Sequence, residues 1–107
     1  MNIEIAKSAV LCNELKFNMA FYDWLLDNWH VFEYFEMAAT RTWDAGFRHY
    51  SARTIVEVMR HRSNIREIGD KPWKINNDIV PEMARLYMIL HPDQDGFFEF
   101  RERVTAL

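Results

Sequence analysis

Lys74-Ile75-Asn76-Asn77-Asp78-Ile79-Val80-Pro81-Glu82-Met83-Ala84-Arg85-Leu86-Tyr87 reads as the opening of a helix around which the rest of the chain is organised. Trp73-Lys74-Ile75 alternates apolar and polar and predicts a short strand leading into it. Asp78 suits the N-cap, because Pro81 then stands third in the helix, where its missing N–H is not needed. Met83, Leu86, Tyr87 and Leu90 recur at helical spacing and predict the buried face, with Glu82 and Arg85 pointing outward. Pro92 ends the helix, Asp95-Gly96 makes a turn, and Phe97–Arg101 reads as a second short strand.

Upstream, Ser51 is an N-cap for a helix over Ala52–Arg62, with Ile55, Val56 and Met59 as its inner face. Ser63 to Pro72 reads as a loop, punctuated by Gly69-Asp70-Lys71-Pro72. Asn28 suits the N-cap of a helix over Trp29–Ala45, on which Trp29, Phe32, Phe35, Ala39 and Trp43 share a face. Gly46 follows where a left-handed C-cap residue is wanted, and Phe47 is placed to fold back onto the last turn. Residues 3–27 read as helical, with Ile5, Ala9, Leu11, Cys12, Leu15 and Met19 at roughly helical spacing. The expected fold is mainly α, a compact domain of four to five helices with a short two-stranded hairpin or wing. That is a winged-helix-like plan: an N-terminal helical segment over 1–27, then a core over 28–103.

At 107 residues the chain is one domain, large enough for a core without metal or disulfide support. Half its residues are hydrophobic and 27% are charged, which excludes wholesale disorder. The single Cys12 excludes an internal disulfide and a multi-cysteine zinc site, and makes the cytoplasm the default compartment. No apolar run approaches the roughly 18 residues of a membrane span, and Met1–Glu4 lacks the start of a secretory signal.

Charge is unevenly spread. Residues 1–40 carry two basic and six acidic side chains, residues 41–74 eight and four, and residues 75–107 three and six. A basic middle between acidic flanks hints at polyanion contact, or else at a solvated face neutralised by its own flanks. Rings are uneven too: nine of the sixteen aromatics fall between Phe17 and Trp43. One or two amphipathic helices bury only a stripe each, so some of these rings should meet another element or another chain.

The set His49-Tyr50-Ser51-Ala52-Arg53, Ile55-Val56, Val58-Met59-Arg60, Lys74-Ile75-Asn76-Asn77, Ala84-Arg85-Leu86, His91-Pro92 and Gly96–Arg101 resembles a family of small uncharacterised phage, prophage and bacterial proteins. The resemblance covers residues 29–103. It implies a phage or bacterial origin and a winged-helix-like core, with no activity attached.

Four chemistries can be weighed on the residues. The run from His91 to Glu102 imitates a calcium loop, but histidine stands where the first carboxylate belongs, so a turn is the better reading. His30, His49, His61 and His91 fall on separate elements without metal spacing, and Cys12 fits a buried small hydrophobe. Glu33 and Glu36 share a helix face and read as solvent decoration. No catalytic, metal or cofactor site is therefore expected, and no small-molecule substrate.

Two binding readings remain. In the first, Asn76 and Asn77 present amides to a DNA groove, while Arg53, Arg60, Arg62, Arg66, Lys71, Lys74 and Arg85 hold phosphates, with Asp78 and Glu82 opposing them. Asn76 and Asn77 can equally serve only the turn and the helix cap. In the second, the chain docks a host or phage protein through Tyr22, Trp24, Trp29 and Tyr34, as a small inhibitor or adaptor would. A homodimer fits either, and neither needs a membrane.

Overall fold

The computed structural model describes residues 2–66 and 75–99, with side chains 63–66 left out of the description. Among the described residues five α-helices follow one another: α1 Ile3–Cys12, α2 Met19–Asp27, α3 Trp29–Asp44, α4 Ala52–Arg66 and α5 Ile79–Leu90. Short 3-10 turns occupy Glu14–Lys16 and Pro92–Gln94. No strand occurs among the described residues, and no helix among them is long and apolar enough to cross a membrane. The compact, mainly helical expectation holds, while the wing does not take shape in what is described. Lys71, Trp73, Lys74 and Arg101 lie outside the described residues, so the predicted strands can be judged only at Ile75 and Phe97–Glu99, which are irregular.

The reading of 3–27 as one helical run is corrected by two asparagines. Asn13 closes α1, its amide donating to the Ala9 carbonyl at 2.8 Å. Asn18 opens α2, its Oδ1 accepting from the Ala20 N–H at 3.0 Å. Short amide side chains compete with the helical backbone in this way, and here they win at both ends of a six-residue connection. Asn28 corrects the next expectation for the same reason. Its amide reaches back to the Trp24 carbonyl at 3.0 Å, making it the C-cap of α2 rather than a side-chain N-cap of α3.

The end of α3 follows the sequence closely. Gly46 takes φ +105°, its N–H reaches the Trp43 carbonyl, and the Phe47 N–H reaches the Thr42 carbonyl. Those paired bonds satisfy carbonyls that the helix leaves open. Phe47, however, stays 53% exposed. Arg48 folds back instead, its guanidinium 3.9 Å from the centre of the Trp43 ring and its Nη1 donating to the Trp43 carbonyl. A cation over indole gains more than a phenyl ring would there, because it also satisfies a terminal carbonyl.

Ser51 caps α4 as expected, accepting from the Thr54 N–H at 3.3 Å. The helix then runs to Arg66, one turn beyond the predicted end, since nothing from Ser63 to Arg66 breaks a helix. At α5 the cap is displaced by two residues. Asp78 makes no side-chain capping bond; Asn76 Oδ1 accepts from the Asp78 N–H at 3.1 Å, and the Asn76 carbonyl accepts from Ile79.

α5 is the centre of the molecule, packing against α1, α3 and α4. Val80, Met83, Ala84, Leu86 and Tyr87 on α5 are buried, against Phe32, Phe35 and Ala39 of α3 and Ile55, Val56 and Met59 of α4 in one core. The chain returns to this core after Gly96, whose φ is +81°. Phe97 and Phe98 are both buried, which a strand with one solvent face forbids and an irregular turn allows. Phe98 stacks on Phe35 at 5.6 Å and Phe97 meets the edge of Trp43 at 5.7 Å. One backbone bond, Tyr50 N–H to Phe97 carbonyl at 2.9 Å, joins this return to the α3–α4 connection.

Buried beneath it is a short polar chain. The Tyr87 hydroxyl, fully enclosed, donates to Gln94 Oε1 at 2.5 Å and lies 3.4 Å from Thr40 Oγ1. Burial raises the Tyr87 pKa above the ordinary phenol value, bonds from Thr40 and Gln94 oppose this, and the Glu36 and Asp93 charges add to it. His91 stacks on Tyr87 with centroids 4.3 Å apart and meets Glu36 at 3.2 Å.

Candidate functional site

Two surface grooves meet at Asn18, Glu82 and Arg85. The larger, about 860 Å³, opens between the starts of α4 and α5 and the return at Phe98-Glu99. Arg53, Asn77, Asp78, Glu82, Arg85 and His49 line it, so it carries both signs of charge. The second, about 710 Å³, lies between the α1–α2 connection and the far side of α5. Its walls are Leu15, Phe17, Met88 and Ile89, with Lys16 and the Glu82–Arg85 pair at its rim.

Glu82 stands where the grooves meet. It does not point freely outward as the sequence reading had it: only 13% of its side chain is exposed. Its carboxylate accepts from the Asn18 N–H at 3.2 Å and meets Arg85 at 3.5 Å. Desolvation raises its pKa above the ordinary carboxyl value, against the lowering effects of the Asn18 N–H and Arg85. The half-buried carboxylate ties the start of α2 to α5, which is a structural duty.

The residues expected to hold DNA separate into several places. Arg53 is exposed in the first turn of α4 and borders the larger groove with Asn77 and Arg85. Arg60 is half-buried and spent on its own chain: it donates to Glu57 Oε1 at 2.7 Å, to the Ile75 carbonyl and to Asn77 Oδ1. Arg62 faces the other way, its guanidinium 3.4 Å from the Tyr34 hydroxyl. Arg85 pairs with Glu82. Asn76 and Asn77 are exposed, with one amide oxygen serving the turn and the other Arg60. The Arg66 side chain, Lys71 and Lys74 lie outside what is described.

The four rings expected to anchor a partner all sit partly buried against the core. Trp24 stacks on Phe21 at 5.9 Å and Trp29 leans on Phe32 at 5.5 Å. Tyr22 is half-buried, and Tyr34 carries its hydroxyl to Arg62. The crowding of rings between Phe17 and Trp43 is thus absorbed largely by the fold. What the N-terminal segment leaves outside is aliphatic: Leu15 is 100% exposed, Met19 70%, Ile5 55% and Leu11 53%. Cys12, expected to be buried, is exposed as well. Since Ala6 and Val10 alone fill the buried stripe of α1, the apolar residues beside them have nowhere inside to go.

Glu36 is a further correction, because it is drawn in by His91 rather than left to solvent. Among the described residues no three His, Cys, Asp or Glu side chains gather as metal ligands would. The 3-10 turn at Pro92–Gln94 instead spends Gln94 on the core hydroxyl of Tyr87. No family model, curated protein or solved structure matches the chain.

Proposed function

We propose that the chain is a non-enzymatic binding module whose partner is another protein, engaged through the aliphatic edge where the α1–α2 connection meets α5. One observation carries this reading: Leu15, fully exposed, stands over a groove walled by Phe17, Met88 and Ile89. A large aliphatic side chain held wholly in water beside an apolar recess is what an interface core looks like before its partner arrives. The likeness to small phage and bacterial proteins makes a bacterial host protein the partner class, with inhibition or adaptor work as its use. Immobilised protein should retain a protein from such a lysate after nuclease treatment, and Leu15→Asp with Met19→Lys should abolish the retention. Retention unchanged by the double substitution would refute the choice of surface.

DNA binding is the second reading, favoured by Arg53, Asn77 and Arg85 sharing the larger groove. It is weakened by Arg60 turning to Glu57 and by three carboxylates, Asp78, Glu82 and Glu99, in the same walls. If it holds, Arg53→Ala reduces the salt slope of duplex binding by about 0.9. A wild type that shifts no duplex at low salt removes it.

A further inference from the structure

A third groove, about 230 Å³, runs between α3 and α4 on a different side of the molecule from Leu15. Its apolar surface comes from Met59, buried at its base, and from Met37 and Val58, which are 39% and 46% exposed. Arg41 borders it from α3 and Arg62 from α4, with the Tyr34 hydroxyl beside Arg62. None of its ten lining residues is acidic, in a chain where acidic residues outnumber basic ones sixteen to thirteen. Glu33 and Glu36 line the neighbouring depression on α3, which Arg41 also borders, but Glu36 is already engaged by His91.

Size and charge together select the occupant. The volume falls below the roughly 300 Å³ at which small-molecule sites begin, and suits a side chain or two. An apolar base gives nothing to a phosphate, whereas two guanidinium groups, one contributed by each helix, match carboxylates flanking an apolar anchor. We infer that the α3–α4 groove docks an acidic segment of a partner protein, seating one aliphatic side chain over Met59 between carboxylates that meet Arg41 and Arg62. Such a segment lies in the groove as an amphipathic helix does, with its anchor inward and its charges at the rims.

The test is a titration of the full chain, uniformly ¹⁵N-labelled, with a panel of synthetic peptides carrying one Leu between Glu residues at helical spacings. A matched panel with Lys in place of Glu and a duplex oligonucleotide serve as comparisons. Acidic peptides should shift amide signals of α3 and α4 around the groove, and Arg41→Ala with Arg62→Ala should weaken them about tenfold or more. Both arginines are on the surface, so the double variant should keep the wild-type circular dichroism; Val58→Asp provides an independent block. The inference fails if no acidic peptide moves these signals below about 1 mM. It fails equally if the Lys panel binds as well, if DNA takes the groove, or if concentration alone shifts the signals, which would make a second copy the occupant.

Discussion

Tyr87 shows how much of this protein hangs on single polar contacts inside an aromatic core. Its hydroxyl is buried, and Gln94, only 4% exposed, is its acceptor. Removing one partner strands the other, so Tyr87→Phe should cost about 1–3 kcal/mol in urea unfolding. Tyr87→Phe with Gln94→Leu should recover part of that loss, because neither polar group is then left buried alone. Additive losses would show that Gln94 finds another partner. Glu82 makes the complementary case. Folded, it holds its proton to higher pH than the unfolded carboxyl near 4.5. In the window just above 4.5 the native state therefore binds more protons, and stability falls as pH rises through it. Glu82→Gln keeps an acceptor for the Asn18 N–H and removes the titration. The difference between wild-type and variant melting temperatures should slope across that window and be flat above it; a difference flat throughout would contradict the burial argument.

At the scale of elements, the helices are legible in the sequence and their joints are not. Caps at Ser51 and Gly46 stand where the residues announce them, since a hydroxyl before a periodic run and a glycine after one each answer an open backbone group. Gly46→Ala meets no atom within 4 Å, so its cost is purely conformational. It should be about 1–2 kcal/mol, read from a shift in the urea midpoint, and a neutral substitution would mean that the α3 C-cap can re-form otherwise. The asparagines were harder to read. Asn13, Asn18, Asn28 and Asn76 each have two local uses, and only tertiary packing decides whether an amide serves the helix before it, the helix after it, or the turn between. Phe97 and Phe98, expected to open a short strand, both turn inward, as adjacent rings can once Gly96 kinks the backbone.

For the molecule as a whole, the mainly helical fold around α5 follows from periodicity, whereas the surfaces offered to partners do not. Composition counts arginines but cannot say that Arg60 is spent on Glu57 while Arg41 and Arg62 border one groove. It counts rings but cannot say that Trp24 and Trp29 lean on the core while Leu15 stands clear. Exposure is a property of the assembled helices. Because Leu15 and Met19 touch little of the core, Leu15→Asp and Met19→Lys should each leave unfolding stability within about 0.5 kcal/mol of wild type. A larger loss would mean that these side chains hold the α1–α2 connection in place. The most direct measurement uses a photoreactive amino acid at position 15, with matched probes at Asp27 and Arg53, activated in lysate. A discrete protein adduct from position 15 in a bacterial lysate, absent from position 27 and insensitive to nuclease, is the predicted result. Adducts from position 53 to nucleic acid, with none from position 15, would contradict it.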